Sequence, residues 1–147
     1  IFEFAHCLTQ LEVWAYAVDE AAKNVWGTIP EGGIVLKSQF PTCKVELPAT
    51  VTFEGIPADL ALPAKKAADA AACGYALVAP IAVGGTLTLS VATSEGGTRD
   101  VPLTLPAAGF GAGKAYDVVL KFTSTQIMPQ ATISPWEEAG DRIEVIL

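Results

Sequence analysis

His6 is the only histidine in this 147-residue chain. Imidazole titrates nearest to neutral pH, so His6 is the first candidate for proton transfer or metal binding. A general base needs a positioned partner, and a metal needs further ligands. Neither occurs at a recognisable spacing around Phe4-Ala5-His6-Cys7. His6 is therefore expected to be structural, bonded to backbone at a strand bend. Cys7, Cys43 and Cys73 are odd in number and lack metal-ligand spacing. Two readings stand: buried free thiols, or one bridge with a thiol left over. The acidic run Glu137-Glu138-Ala139-Gly140-Asp141 offers the oxygens that calcium prefers, but without the spacing of an EF-hand loop. It reads as a surface turn. Glu137 and Glu138 are adjacent and would point apart in a strand, which suits no acid/base pair. No G-x-S-x-G elbow, H-E-x-x-H or Walker loop occurs, and the Gly pairs at 84–85 and 96–97 are turn residues. No catalytic residue, metal ligand or cofactor is expected.

Aromatic side chains offer a different chemistry. Trp14 and Tyr16 fall on one face of an alternating run, and Trp26 follows ten residues on. Three such rings would make a platform on which a sugar could stack. Rings of this kind more commonly pack beneath a loop or a neighbouring element. Lys65 and Lys66 read as a solvated face.

The elements that position these residues are mostly strands. Side chains in a strand alternate between two faces, so apolar residues at every second position mark a half-buried strand. Leu11, Val13, Ala15 and Ala17 do this, as do Leu87, Leu89 and Val91, then Val101, Leu103 and Leu105. Ser94–Thr98 joins the last two runs as a hairpin loop. Tyr116, Val118, Leu120 and Phe122 make a further row, followed by a polar break at Thr123–Gln126 and by Ile127, Ala131 and Ile133. The two runs predict a meander edge entered through Gly111 and Gly113 and closed by Pro135 and Trp136. Phe2 and Phe4 are out of phase with Leu11 and Val13, which predicts a bulge near His6. Residues 19–33 read as a loop anchored by Trp26 and Ile29. Ile34–Lys37 and Tyr75–Val78 read as short strands. Val45, Leu47, Val51 and Phe53 read as one strand interrupted at Pro48. Pro63–Cys73 is the single helix candidate, with Pro at its start and Gly74 as its stop. Arg142–Leu147 is a last alternating strand. The expected fold is all-β: a two-sheet antiparallel β-sandwich with at most one short helix, a single domain over residues 1–147.

Two of these stretches carry a resemblance. Phe110-x-Ala112-Gly113-Lys114-x-Tyr116, an alternating strand, then Ala131-Thr132-Ile133-x-x-Trp136 resembles the closing segment of fimbrillin-like proteins, the pilus and adhesin subunits of Bacteroidetes. Phe2-x-Phe4-x-His6-x-Leu8-x-x-Leu11-x-Val13 resembles the strand that opens the C-terminal domain in that family. The motifs bracket nearly the whole chain in the right order. The resemblance implies a transthyretin-like sandwich and a structural or adhesive subunit of a cell-surface fimbria, assembled by strand addition. It implies other fimbrial subunits as partners, with host or bacterial surface ligands besides. Membrane attachment would come only through a lipid anchor outside this chain, at the outer membrane or on the fimbrium. The alternative is a surface glycan-binding module using Trp14, Tyr16 or Trp26.

Composition bounds both readings. Hydrophobic residues make up 51% and charged residues 17%, so the chain has material for a core and lacks a disordered composition. The net charge is -7 with scattered Lys and Arg, which argues against nucleic acid and anionic membrane as partners. The chain opens at Ile1 without a signal peptide and reads as a processed product or an excised domain. Ile143, Val145 and Leu147 form an apolar row, but Ile146 breaks the polar face. A strand apolar on both faces needs cover on both. Either it folds back as an ordinary edge strand of its own domain, or these four residues are the candidate subunit interface, as donor or acceptor of a strand.

Overall fold

The computed structural model describes residues 7–46, 50–63 and 72–134. Strand β1 (Thr9–Ala17) is followed by helix α1 (Glu20–Trp26), β2 (Ile34–Gln39), β3 (Thr42–Glu46), β4 (Thr50–Glu54) and β5 (Ala58–Ala61). Then come β6 (Ala72–Val78), β7 (Leu87–Thr93), β8 (Gly97–Leu103), β9 (Ala115–Phe122) and β10 (Ile127–Ser134). The strands form two four-stranded sheets, in the orders β10-β9-β1-β6 and β5-β2-β7-β8, and a separate two-stranded β3-β4 ribbon. This is the expected all-β sandwich, with one short helix among the described residues. Among the described residues every ladder is antiparallel except one: β1 runs parallel to β9, with Leu11 beside Tyr116 and Ala17 beside Phe122.

One core lies between the two large sheets. Leu11, Val13 and Ala15 of β1 and Tyr116, Val118, Leu120 and Phe122 of β9 supply one side. Ile34 and Leu36, Leu87, Leu89 and Val91, and Val101 and Leu103 supply the other. Leu105, Ile127 and Ala131 pack against its rim. The alternation read from these runs thus places each apolar row inward, and burying such a row is the main favourable contribution to folding.

The loop before β9 is fastened to β1. The Thr9 hydroxyl donates to the Gly111 carbonyl at 2.8 Å, and the Gly113 N–H donates to the Leu8 carbonyl at 3.0 Å. The Tyr116 hydroxyl accepts from the Gly111 N–H at 2.9 Å while its ring lies 4.4 Å from that of Phe110. Gly109 has a positive φ of 70°, and a Cβ there would meet the Ile81 carbonyl oxygen at 2.4 Å. Only glycine fits that approach.

Four expectations need correction. Residues 19–33 are not all loop, because Glu20–Trp26 is a helix. Asp19 caps it, accepting from the Ala22 N–H at 2.8 Å, and Gly27 ends it at φ 75°. Val45 and Val51 do not lie on one interrupted strand. The chain folds back, and Val45 sits opposite Val51 in an antiparallel ladder. Strand β5 was not anticipated, since Ala58–Ala61 has no apolar alternation. Of the expected helix Pro63–Cys73, residues 64–71 lie outside the described residues, and its end is strand. The ladder of β1 with β6 passes from Val13–Gly74 to Trp14–Ala72, so Cys73 occupies a bulge.

Candidate assembly and binding surfaces

The three aromatic candidates do not share a face. Trp26, at the end of α1, is buried at 7% exposure inside the core. Its ring meets Phe122 edge-on at 5.7 Å, and its indole N–H donates to the Thr123 carbonyl at 2.6 Å. No ring face is left for a sugar, so Trp26 is withdrawn from the platform and kept as the anchor of residues 19–33. Trp14 and Tyr16 do share a face, the outer side of the β10-β9-β1-β6 sheet, and both are half-buried. The Trp14 indole N–H points to the Asp117 carboxylate at 3.4 Å.

Sequence reading missed several neighbours on that outer face. Glu12 sits between Tyr75 of β6 and Asp117 of β9 and is only 3% exposed. Tyr75, Leu77 and Met128 are exposed beyond it. The odd positions 75 and 77 alternate with the buried Gly74, Ala76 and Val78, which is the signal that could have placed them outward.

The sheet edges are the second kind of surface. A free edge presents unpaired N–H and C=O groups to any strand that can reach them. Strand β10 carries Pro129, β8 carries Pro102, and β6 carries the bulge at Cys73. Each feature weakens an edge as a pairing template. Strand β5 is four residues long, and its ladder with β2 is irregular between Leu36 and Gln39. Ser38 at that irregularity has a positive φ of 55°. The Asp59 carboxylate accepts from both the Ser38 N–H, at 3.2 Å, and Lys37 Nζ, at 3.0 Å. The hydrogen bond from Lys37 holds the Asp59 carboxyl below its ordinary pKa, with the Ser38 N–H adding to the effect. The same hydrogen bond raises Lys37.

The β3-β4 ribbon stands apart from both sheets. Cys43, Val45, Val51 and Phe53 share one face of it, and Thr42, Lys44, Glu46, Thr50, Thr52 and Glu54 share the other. Val45 is 61% exposed, and Phe40 lies against Phe53 at the base of the ribbon.

Cys43 is an exposed free thiol, and Cys7 is also exposed. The expectation of burial is overturned for both, since one lies on the ribbon and the other precedes β1. His6, the acidic run and the interface candidates Ile143, Val145, Ile146 and Leu147 lie outside the described residues. Among the described residues no group of His, Cys, Asp and Glu is placed to hold a metal ion. None of the described helices is long and apolar enough to cross a membrane.

No protein-family model and no curated protein matches the chain. Solved structures do match. A proposed cell adhesion protein of Bacteroides uniformis superimposes with a TM-score of 0.70 at 15% identity, over 90% of this chain and 52% of that one. A second, from Bacteroides ovatus, gives 0.65 at 14% identity, over 90% and 46%. The tip fimbrial protein Mfa3 of Porphyromonas gingivalis, truncated at its C-terminus, gives 0.51 at 13% identity, over 90% and 52%. At these identities the likeness is one of fold. The chain spans about half the length of each of these structures. Its fold is thus a β-sandwich found in adhesion and fimbrial proteins of Bacteroidetes.

Proposed function

We propose that the chain is a structural or adhesive subunit of a cell-surface fimbria, joined to other subunits by strand addition. The observation that carries this reading is the shared fold, at a TM-score of 0.70 with a proposed adhesion protein and 0.51 with a fimbrial tip protein. The motifs around Phe110–Tyr116 and Ala131–Trp136 support it from the sequence side. In strand addition, backbone hydrogen bonds provide the adhesive contribution and alternate side chains in pockets fix the register. Ile143, Val145, Ile146 and Leu147 are the proposed donor residues, because their segment has apolar side chains on both faces. The partners are other fimbrial subunits and surface ligands, at the cell surface.

The test deletes Arg142–Leu147 and follows folding and assembly separately. A folded truncation that no longer joins sheared surface filaments is the expected result. Normal incorporation of a folded truncation overturns the donor assignment. Absence of the intact chain from surface filaments overturns the fimbrial reading itself.

A second reading, glycan binding at the outer face, is favoured by one observation. Trp14 and Tyr16 lie two residues apart on that face beside Asp117, with Tyr75 exposed across the sheet. Titration of surface glycans should then quench tryptophan fluorescence in the wild type and not in Trp14→Phe. Equal quenching in both would remove this reading.

A further inference from the structure

We propose that β3 is a self-association edge, pairing antiparallel with β3 of a second copy of this chain around Val45. The pairing needs only the ribbon and holds whether or not the chain is a fimbrial subunit.

Among the described residues β3 pairs with β4 and with no other strand, so none of them covers its outer edge. All five of its residues, Thr42–Glu46, are exposed. On the apolar face Cys43 and Val45 are exposed while Val51 and Phe53 are half-buried. A two-stranded ribbon of this kind is marginal in water, and more strands with a shared apolar face stabilise it. Strand β3 lacks the proline, the bulge and the irregular ladder found at the other edges. Its ladder with β4 runs without a shift from Thr42–Glu54 to Glu46–Thr50.

Charge identifies a second copy as the occupant. Lys44 and Glu46 flank Val45 on the polar face and form an ion pair within the strand. That pair is exposed on both sides and contributes little to the lone chain. When two β3 strands pair around Val45, Lys44 of each copy lies opposite Glu46 of the other. Two reciprocal ion pairs result. The opposed Val45 residues extend the apolar face through Cys43, Val51 and Phe53 across four strands. A shift of one residue would put polar side chains on the apolar face. A shift of two would place Lys44 against Lys44, or Glu46 against Glu46, which is unfavourable. The pattern therefore admits one register. The β4 edge, Thr50–Glu54, holds no such reciprocal pair.

Each copy carries a net charge of -7, so general repulsion opposes the contact. Salt screens that repulsion over a Debye length of about 8–10 Å.

Sedimentation velocity across a concentration series of the full chain is the test, with Lys44→Glu and Glu46→Lys as variants. The wild type should form a reversible dimer. Each variant alone should associate at least about tenfold more weakly, because like charges then face each other in the pairing. An equimolar mixture of the two variants should recover association, since one ribbon edge is then wholly acidic and the other wholly basic. The doubly exchanged K44E/E46K chain should recover it as well. Both sites are exposed, and unchanged circular dichroism would confirm that the variants fold. A wild type that stays monomeric throughout, variants that dimerise as the wild type does, or a mixture that fails to recover association would each overturn the proposal.

Discussion

The indole N–H of Trp26 donates to the backbone carbonyl of Thr123 at 2.6 Å. This bond ties the end of α1 to the turn between β9 and β10, elements separated by nearly a hundred residues of chain. Trp26→Phe keeps a ring against Phe122 but leaves the carbonyl without this donor. It should cost about 1–3 kcal/mol, the range for an unsatisfied buried polar group. Trp26→Ala also empties the site and should cost about 3–5 kcal/mol. Urea denaturation of the two variants separates the bond from the ring.

Gly96, in the turn between β7 and β8, lies against the same ring. A Cβ there would stand 2.3 Å from Trp26 Cε3. Gly96→Ala should therefore cost about 1–3 kcal/mol, as overpacking does. The cost should shrink in a Trp26→Leu background, which gives a coupling that a double-mutant cycle reads directly. Equal costs in both backgrounds would show that the ring is not what the methyl meets.

Leu120 is fully buried in β9. Leu120→Ala should lower stability by about 2–5 kcal/mol. Val119→Ala, on the half-exposed outer face of the same strand, should cost well under that. Similar losses at the two sites would contradict the alternation on which the strand is read.

The Lys37–Asp59 pair gives a pH dependence with a defined sign. Asp59 titrates lower in the folded chain, so its contribution is present above the unfolded value of about 3.9 and is lost as pH falls through the folded value. Lys37 titrates higher when folded, so its contribution is present below about 10.4 and is lost as pH rises through the folded value. Asp59→Asn should flatten both limbs of the stability profile relative to the wild type. The effect is small because both groups are exposed. Melting temperatures from pH 2 to 6 and from pH 9 to 12 would measure it.

Sequence reading succeeded where one face of a strand is wet and the other dry. Leu87–Val91, Val101–Leu103 and Tyr116–Phe122 alternate because water lies on one side and the facing sheet on the other. It failed at the ribbon for a geometric reason. Val45 and Val51 are both odd, which suits one continuous strand and equally suits two strands folded back with these residues opposed. Periodicity does not separate the two, and Pro48 marks an interruption in either. Helix α1 is too short for a helical period, yet its Asp19 cap and Gly27 stop are the ordinary punctuation of a helix. Trp26 anchors residues 19–33, and its buried ring leaves no face for a ligand. An aromatic residue in a sequence does not reveal which side of its ring is covered.

The parallel pairing of β1 with β9 bears on the order of folding. A β1 residue such as Leu11 has its neighbour at Tyr116, so the strand at the middle of its sheet waits for a partner more than a hundred residues downstream. The sandwich therefore has a high contact order, and closing such long loops before any reward places folding in the millisecond-to-second range typical of all-β domains. During synthesis the β7-β8 hairpin can form early, but β1 stays unpaired on its β9 side until Phe122 has emerged. At about 5–20 residues per second, that interval lasts about 5–20 seconds. Throughout it the β9 side of β1 keeps its backbone N–H and C=O groups unpaired, a template open to holding factors and equally to aggregation.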